Sequence, residues 1–308
     1  MLNQKIKKIG KKVSFIADRI LTGTLWKQNE LEWAIGIYTG KSPFDLTSES
    51  IKNPVLTRKD VSDVPADFVA DPFMIRANGI WYMFFEVLNL QSRRGEIGLA
   101  SSENGIKWKY QKIVLAEPYH LSYPYVFEWM NEYYMIPESY EANSIRLYKA
   151  STFPTEWSFV GNLIGEGFYL DPSLFRYNDK WWLFAETNFN HKYDTLSLYY
   201  ADDLMGSWQE HPHSPIIKGN ARIARPGGRV FVVDGKLIRC TQNCYIDYGT
   251  QLQMFEIEEL TTTSYSEREI DKNPILTASG SGWNASGMHH IDPHILEDGR
   301  WIACVDGR

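Results

Sequence analysis

Cysteine is scarce in this 308-residue chain, at Cys240, Cys244 and Cys304. Three thiols make no even disulfide set, and one C-x3-C spacing is no zinc signature, so a reduced, cytoplasmic protein is the expectation. Positive charge is also short: 32 Lys and Arg stand against 38 Asp and Glu, a net −6. That balance supplies no general basic face, and nucleic acid is not an expected partner. No run is long and apolar enough to span a bilayer. There is no Walker motif, no G-x-S-x-G and no zinc signature, and Gly227-Gly228 lacks the strand–loop–helix setting of a phosphate loop.

What the chain does hold is apolar and aromatic bulk, at 44% and 14%, ample for a large core. The first 30 residues differ from the rest. Lys5, Lys7, Lys8, Lys11 and Lys12 alternate with Ile6, Ile9, Val13, Ile16 and Ile20 at helical spacing. This predicts a short basic amphipathic helix over 1–30, with no continuous apolar core of signal-peptide type. Its apolar face is expected to pack on protein; the alternative is contact of residues 1–21 with an anionic membrane surface, which would make the protein membrane-peripheral.

Residues 31–308 carry a repeat. An X-Pro pair recurs at Asp71-Pro72, Tyr123-Pro124, Asp171-Pro172, Arg225-Pro226 and Asp292-Pro293, in steps of 52, 48, 54 and 67 residues. After the first three, a polar turn leads into WYMFFE, YYMIPE or WWLFAE, and Glu86, Glu138 and Glu186 each fall 15 residues after the X position. Third strands EIGLASS, SIRLYKAS and LSLYYADD follow, and each unit closes on Trp108, Trp157 or Trp208. Several short strands per period near 50 define an all-β, five-bladed propeller. The fifth unit, IDPHIL then WIACVDG, lacks a third strand, and LEWAIGIYTGKS (31–42) has the pattern to supply it. An N-terminal strand completing the last blade closes the ring as one domain.

First strands of propellers run nearest the axis, so Asp71, Tyr123, Asp171, Arg225 and Asp292 are expected around one funnel. Glu86, Glu138, Glu186, Gln242 and Asp306 form a second ring from the next strands. Crowded carboxylates separate in proton affinity, which lets one act as acid while another acts as base. Such a pair is what cleavage of a glycosidic bond requires. The bland alternative is that acids beside proline form turns and satisfy backbone N–H groups between blades. Arg225 and Arg229 offer guanidinium groups to an anionic ligand or to the acids themselves.

ADPF and LDPS, with A-S-S-x-N-G-x-x-W after the first, resemble the propellers of glycoside hydrolase families 43, 32, 62 and 68. The resemblance implies Asp71 as base or nucleophile and Asp171 as the carboxylate that tunes it. The blade-four glutamate that would be the acid is replaced by ARPGG, which leaves Glu138 or Glu186 as candidates. Over almost the whole chain, FVADPFM, HLSYPYVFE, YYMIPES, FPTEW, ARPGGRV and YGTQLQMFEI resemble the N-terminal propeller of plant glucosamine inositolphosphorylceramide transferases. In that family the transferase chemistry is assigned to a separate nucleotide-sugar domain.

MHHIDPH places His289, His290 and His294 about Asp292. Strand alternation would put His290, Asp292 and His294 on one face. In family 43 propellers a central histidine often holds an ion or water, so an axial ion near His290 is one expectation, with no cofactor otherwise required. His120 precedes the blade-two strand and is a candidate acid or ligand contact. Three readings follow for a carbohydrate or glycoconjugate ligand. The first is a glycoside hydrolase using Asp71, Asp171 and Glu138, with Glu86, Glu186, Tyr123, His120, Arg225, Arg229, Gln242, His290 and Asp292 lining the substrate. The second is a non-catalytic carbohydrate-recognition module serving a glycosyltransferase or sugar-modifying enzyme. The third is a transferase or phosphorylase on the same scaffold.

Overall fold

The protein is described by a computed structural model over residues 32–48 and 51–308. The expected helix of residues 1–30 and its membrane contact lie outside the described residues.

Five antiparallel sheets form the blades. Blade one comprises Ala66–Ala77, Ile80–Asn89, Arg94–Ser102 and Lys109–Leu115, and blade two Ser122–Trp129, Glu132–Glu138, Ile145–Thr152 and Glu156–Ile164. Blade three is built on Leu170–Tyr177, Lys180–Glu186 and Thr195–Ala201, and blade four on Phe231–Val233, Lys236–Gln242, Gln251–Leu260 and Tyr265–Glu269. Blade five joins the two ends of the ring. Ile291–Ile295 pairs Trp301–Gly307, which pairs Ala34–Gly40 in unbroken register from Ala34 opposite Gly307 to Gly40 opposite Trp301. The N-terminal strand thus completes the last blade, and two open sheet edges disappear.

The repeated tryptophans close the loop after each third strand. The indole N–H of Trp108 donates to Gly105 O at 2.9 Å, that of Trp157 to Pro154 O at 3.0 Å, and that of Trp208 to Leu204 O at 3.1 Å. Their rings and the second-strand aromatics fill the gaps between blades; Phe84 of blade one meets Trp157 of blade two edge-on at 5.4 Å.

The X-Pro pairs have a backbone reason. In blade one, Ala70 lies opposite Glu86 and Phe73 opposite Phe84, so Asp71 and Pro72 together face one residue. Blades two and three repeat the irregularity between Ser122 and Tyr125 and between Leu170 and Ser173. Asp71, Tyr123 and Asp171 adopt left-handed φ values of 52°, 45° and 49°. A bulge of this type turns the extra residue out of the ladder. The glutamates at the constant offset are the partners of the residue before each bulge: Ala70–Glu86, Ser122–Glu138 and Leu170–Glu186.

Blades four and five depart from that scheme. Asp292 lies opposite Cys304 in continuous register and carries no bulge. Its X-Pro pair is therefore displaced along the strand relative to Asp71, Tyr123 and Asp171. In blade four, Gly228 passes so near blade five that a β-carbon there would sit 1.8 Å from Ile291 O, at φ +143°. Glycine is required for that approach.

Candidate functional site

The three bulged residues converge. Tyr123, from blade two, packs its ring on Phe73 of blade one and His290 before blade five, at 4.8 and 5.2 Å. Its hydroxyl contacts Ser173 Oγ of blade three at 2.7 Å and accepts from Gly228 N of blade four at 2.7 Å. A side chain touching all the other blades stands on the axis. Tyr123 is fully buried, so it is a plug on the axis and presents no free hydroxyl to a ligand.

A bulged residue loses its ladder partner, and carboxylates of the preceding blade supply a new one. Asp71 N donates to Asp306 Oδ2 at 3.0 Å, and Asp171 N donates to Glu138 Oε2 at 3.0 Å. Part of the acid repeat is thus explained by backbone satisfaction between blades, the bland reading of these residues. The chemistry lies in what remains.

Asp171 is clamped. Arg225 Nε donates to its Oδ2 at 2.6 Å, Arg225 Nη2 to Oδ1 at 3.3 Å, and Gln242 Nε2 to Oδ2 at 2.8 Å. Arg225 also reaches Glu138 Oε2 at 3.6 Å and lies between the rings of Tyr193 and Tyr248, 4.8 and 5.0 Å from their centroids. Glu138 receives no comparable clamp. Burial, then the charge of Asp171, pushes its carboxyl well above the usual range.

Asp71 is also forced toward the protonated form, by burial first and then by Asp171, Asp306 and Glu86. Its Oδ1 faces His289 Nε2 at 3.3 Å, and His289 Nδ1 is 2.8 Å from Asp306 Oδ1. Burial opposes the charge of Asp306, but His289 and the backbone donors more than offset it, so this carboxyl sits below its ordinary value. Asp71, His289 and Asp306 bring three potential ligand atoms within 4.8 Å of one another. His289 Nδ1 is taken up by Asp306, which leaves Nε2 as the ring atom that faces Asp71.

Glu186 is fully buried. Its Oε1 accepts from Asn188 N at 3.0 Å, its Oε2 has no hydrogen-bond partner among the described residues, and burial lifts the group to about 7. Glu86 pairs with His120, Oε1 to Nε2 at 3.2 Å, while His120 Nδ1 accepts from Gly95 N at 2.9 Å. That contact leaves the ring proton on Nε2, the nitrogen nearer Glu86.

Several expected ligand contacts are used inside the fold. Arg229 Nε donates to Asp292 Oδ1 at 2.6 Å and its Nη2 to Val126 O at 3.0 Å. Asp292 Oδ2 accepts from Met74 N at 2.6 Å, three residues beyond Asp71 along the blade-one strand. His294 Nε2 lies 2.9 Å from the same carboxylate. This ion-pair group ties blades one, two, four and five together. His290 is wedged against Phe73 at 4.6 Å, and neither ring nitrogen has a hydrogen-bond partner among the described residues. Burial lowers it to about 4, which keeps the ring neutral.

His289, Tyr193, Tyr248 and Trp33 are absent from the sequence-derived site. Strand alternation was the wrong guide for His289, because the strand starts at Ile291 and both histidines precede it. Trp33 stacks on His289 at 4.1 Å and Tyr248 meets it at 5.2 Å, forming an aromatic wall across residues far apart in the chain.

The chain is a five-bladed β-propeller, a fold that solved glycoside hydrolases share. Family 117 glycoside hydrolase Zg3597 from Zobellia galactanivorans superposes with a TM-score of 0.54 at 15% identity, covering 90% of this chain and 91% of that one. A putative glycoside hydrolase from Bacteroides ovatus gives 0.61 at 12%, covering 83% and 94%. At such identities the likeness is one of fold. Sequence is more specific: residues 26–308 match the family described as glucosamine inositolphosphorylceramide transferase 1, N-terminal, and the chain belongs to that family. It is 37% identical over 299 residues to glucosamine inositolphosphorylceramide transferase 1 of Oryza sativa subsp. japonica, covering 90% of this chain and 40% of the relative. The protein of that name from Arabidopsis thaliana is 35% identical over 304 residues, covering 91% and 39%. The chain therefore spans about two fifths of the length of these relatives.

Proposed function

We propose that this propeller is carbohydrate-active and hydrolyses a glycosidic bond at the axial funnel. The observation that carries the reading is the unequal treatment of neighbouring carboxyls: Asp171 is ion-paired with Arg225, while Glu138 beside it is driven toward its protonated form. A proton-bearing acid beside an anionic carboxylate is the arrangement that glycoside cleavage uses. Glu138 gives its proton to the leaving oxygen, Asp71 in its ionised form takes a proton from the attacking water, and Asp171 holds Arg225 in place beside Glu138. The scheme needs no cofactor. Glycosyl transfer, the activity named in the plant relatives, would use the same acid with a sugar hydroxyl or phosphate in place of water.

A second reading is favoured by one contact. Arg225 occupies the blade-four position on the axis and closes on Asp171, which suits a site that recognises a glycan without cleaving it. Incubation of the purified chain with a panel of aryl glycosides and oligosaccharides, with and without phosphate, separates the two when paired with calorimetric binding. Turnover that falls at least 100-fold in Asp71→Asn and in Glu138→Gln, with binding retained, supports hydrolysis. Binding without turnover under every condition establishes the recognition reading instead, and phosphate-dependent turnover moves the chemistry to phosphorolysis.

A further inference from the structure

We propose that His289 and Asp306 form a proton relay beneath Asp71, in which Asp71 is freed to act as a base by passing its proton to His289 Nε2. The chemical step rests on the hydrolytic reading above; the relay itself rests on geometry. Asp306 is fully buried and its Oδ1 receives three donors: His289 N at 3.2 Å, His290 N at 3.0 Å and the His289 ring at 2.8 Å. Its Oδ2 receives Asp71 N at 3.0 Å. An acceptor with this many fixed donors stays anionic and holds the imidazole with its proton on Nδ1. Nε2 is then a lone pair, and the atom it faces at 3.3 Å is Asp71 Oδ1.

The surroundings fix this orientation. Trp33 covers one face of the ring and Tyr248 meets it from blade four. A β-carbon on Gly249 would fall 2.8 Å from His289 Cβ, so the loop presses directly on the residue. The other titratable or charged groups about the pair are His290, whose Nδ1 is 3.9 Å from Asp71 Oδ1, Arg308 against Trp33, and Asp171, Glu86 and Arg225, which act on Asp71. Among these, His289 has the acceptor nitrogen nearest to Asp71.

The balance is simple. The Asp71 O–H bond breaks and an Nε2–H bond forms, and Asp306 offsets the imidazolium charge through Nδ1–H. Asp71 then takes one proton from water as the water oxygen bonds to the sugar carbon, and the departing oxygen takes the proton of Glu138. The His289 proton lost to solvent and the proton regained by Glu138 restore the starting state. His289 and Asp306 do not touch substrate in this scheme and are positioning residues.

Nitrogen-15 and carbon-13 NMR on the full chain tests the relay without requiring turnover. The expected result is a His289 ring protonated at Nδ1, with Nε2 and the Asp71 carboxyl titrating at a common midpoint. Asp71→Asn should move the His289 midpoint at least tenfold in proton concentration, and His289→Gln should move that of Asp71 comparably. The second variant covers the case in which one of them fails to fold. A ring proton found on Nε2, or His289 titrating at a midpoint that Asp71→Asn leaves in place, overturns the proposal. If a glycoside is turned over, His289→Gln should lower kcat about 100-fold at unchanged KM. Absence of turnover defeats the hydrolytic reading and leaves the NMR result to judge the relay.

Discussion

Replacement of Glu186 by Gln should make the propeller more stable, relative to the parent, as pH rises. Glu186 is fully buried, one of its oxygens has no hydrogen-bond partner among the described residues, and burial lifts it from an ordinary 4.5 to about 7. In the unfolded chain the carboxyl ionises near 4.5. In the folded chain it keeps its proton until about 7. The raised value therefore costs nothing below 4.5, costs progressively more between 4.5 and 7, and levels off above 7. At about 1.4 kcal/mol for each tenfold change in proton affinity, the plateau is about 3.5 kcal/mol. Glutamine cannot ionise, so the variant escapes this cost. It retains an acceptor for Asn188 N and places an amide N–H₂ where Oε2 stood, and whatever that exchange costs or gains is independent of pH. Urea unfolding of both proteins at pH 4.5, 6, 7 and 8 isolates the effect, because the fixed contribution cancels in the trend. The stability difference should swing by about 3 kcal/mol toward the variant between pH 4.5 and 8. A difference that stays flat across this range refutes the assignment of a proton to Glu186.

Two further outcomes follow from the axis. Arg225→Met removes the cation that pairs with Asp171 and should cost about 3–5 kcal/mol in denaturant unfolding near neutral pH, because breaking a buried ion pair strands its partner. Gly228→Ala should cost several kcal/mol more than Gly79→Ala in the same assay. Gly79, at φ 80°, carries the left-handed penalty of about 1–2 kcal/mol, whereas Gly228 sits at φ 143°, in a region nearly reserved for glycine, and its new methyl meets backbone at 1.8 Å from Ile291 O.

The ring was readable because propeller repeats express one physical constraint several times. The offset of 15 from Asp71, Tyr123 and Asp171 to Glu86, Glu138 and Glu186 is a strand register, with each glutamate opposite the residue before a bulge. Apolar patterning in 31–42 identified the closing strand for the same reason, since Ala34–Gly40 has to satisfy Trp301–Gly307 along its length. The site was less legible. Asp292 shares the X-Pro signature yet sits in an unbulged strand and serves the Arg229 ion pair, because bulge formation depends on the facing strand as well as on the pair itself. His289 stood out in MHHIDPH, but its direction was not readable, because it precedes its strand, where alternation says nothing. Tyr193, Tyr248 and Trp33 meet across blades three, four and five, a proximity no local pattern encodes.

The three left-handed bulges separate two jobs that most sites ask of one residue. The backbone does the aiming at positions 71, 123 and 171, and it does so for a tyrosine as readily as for an aspartate. What arrives at the axis is then a matter of one codon in each blade. A carboxyl in two blades and a phenol plug in the third is one choice from a small combinatorial set. Relatives built on the same bulges can change what they do to a ligand, or whether they do anything to it, without disturbing the ring that holds it.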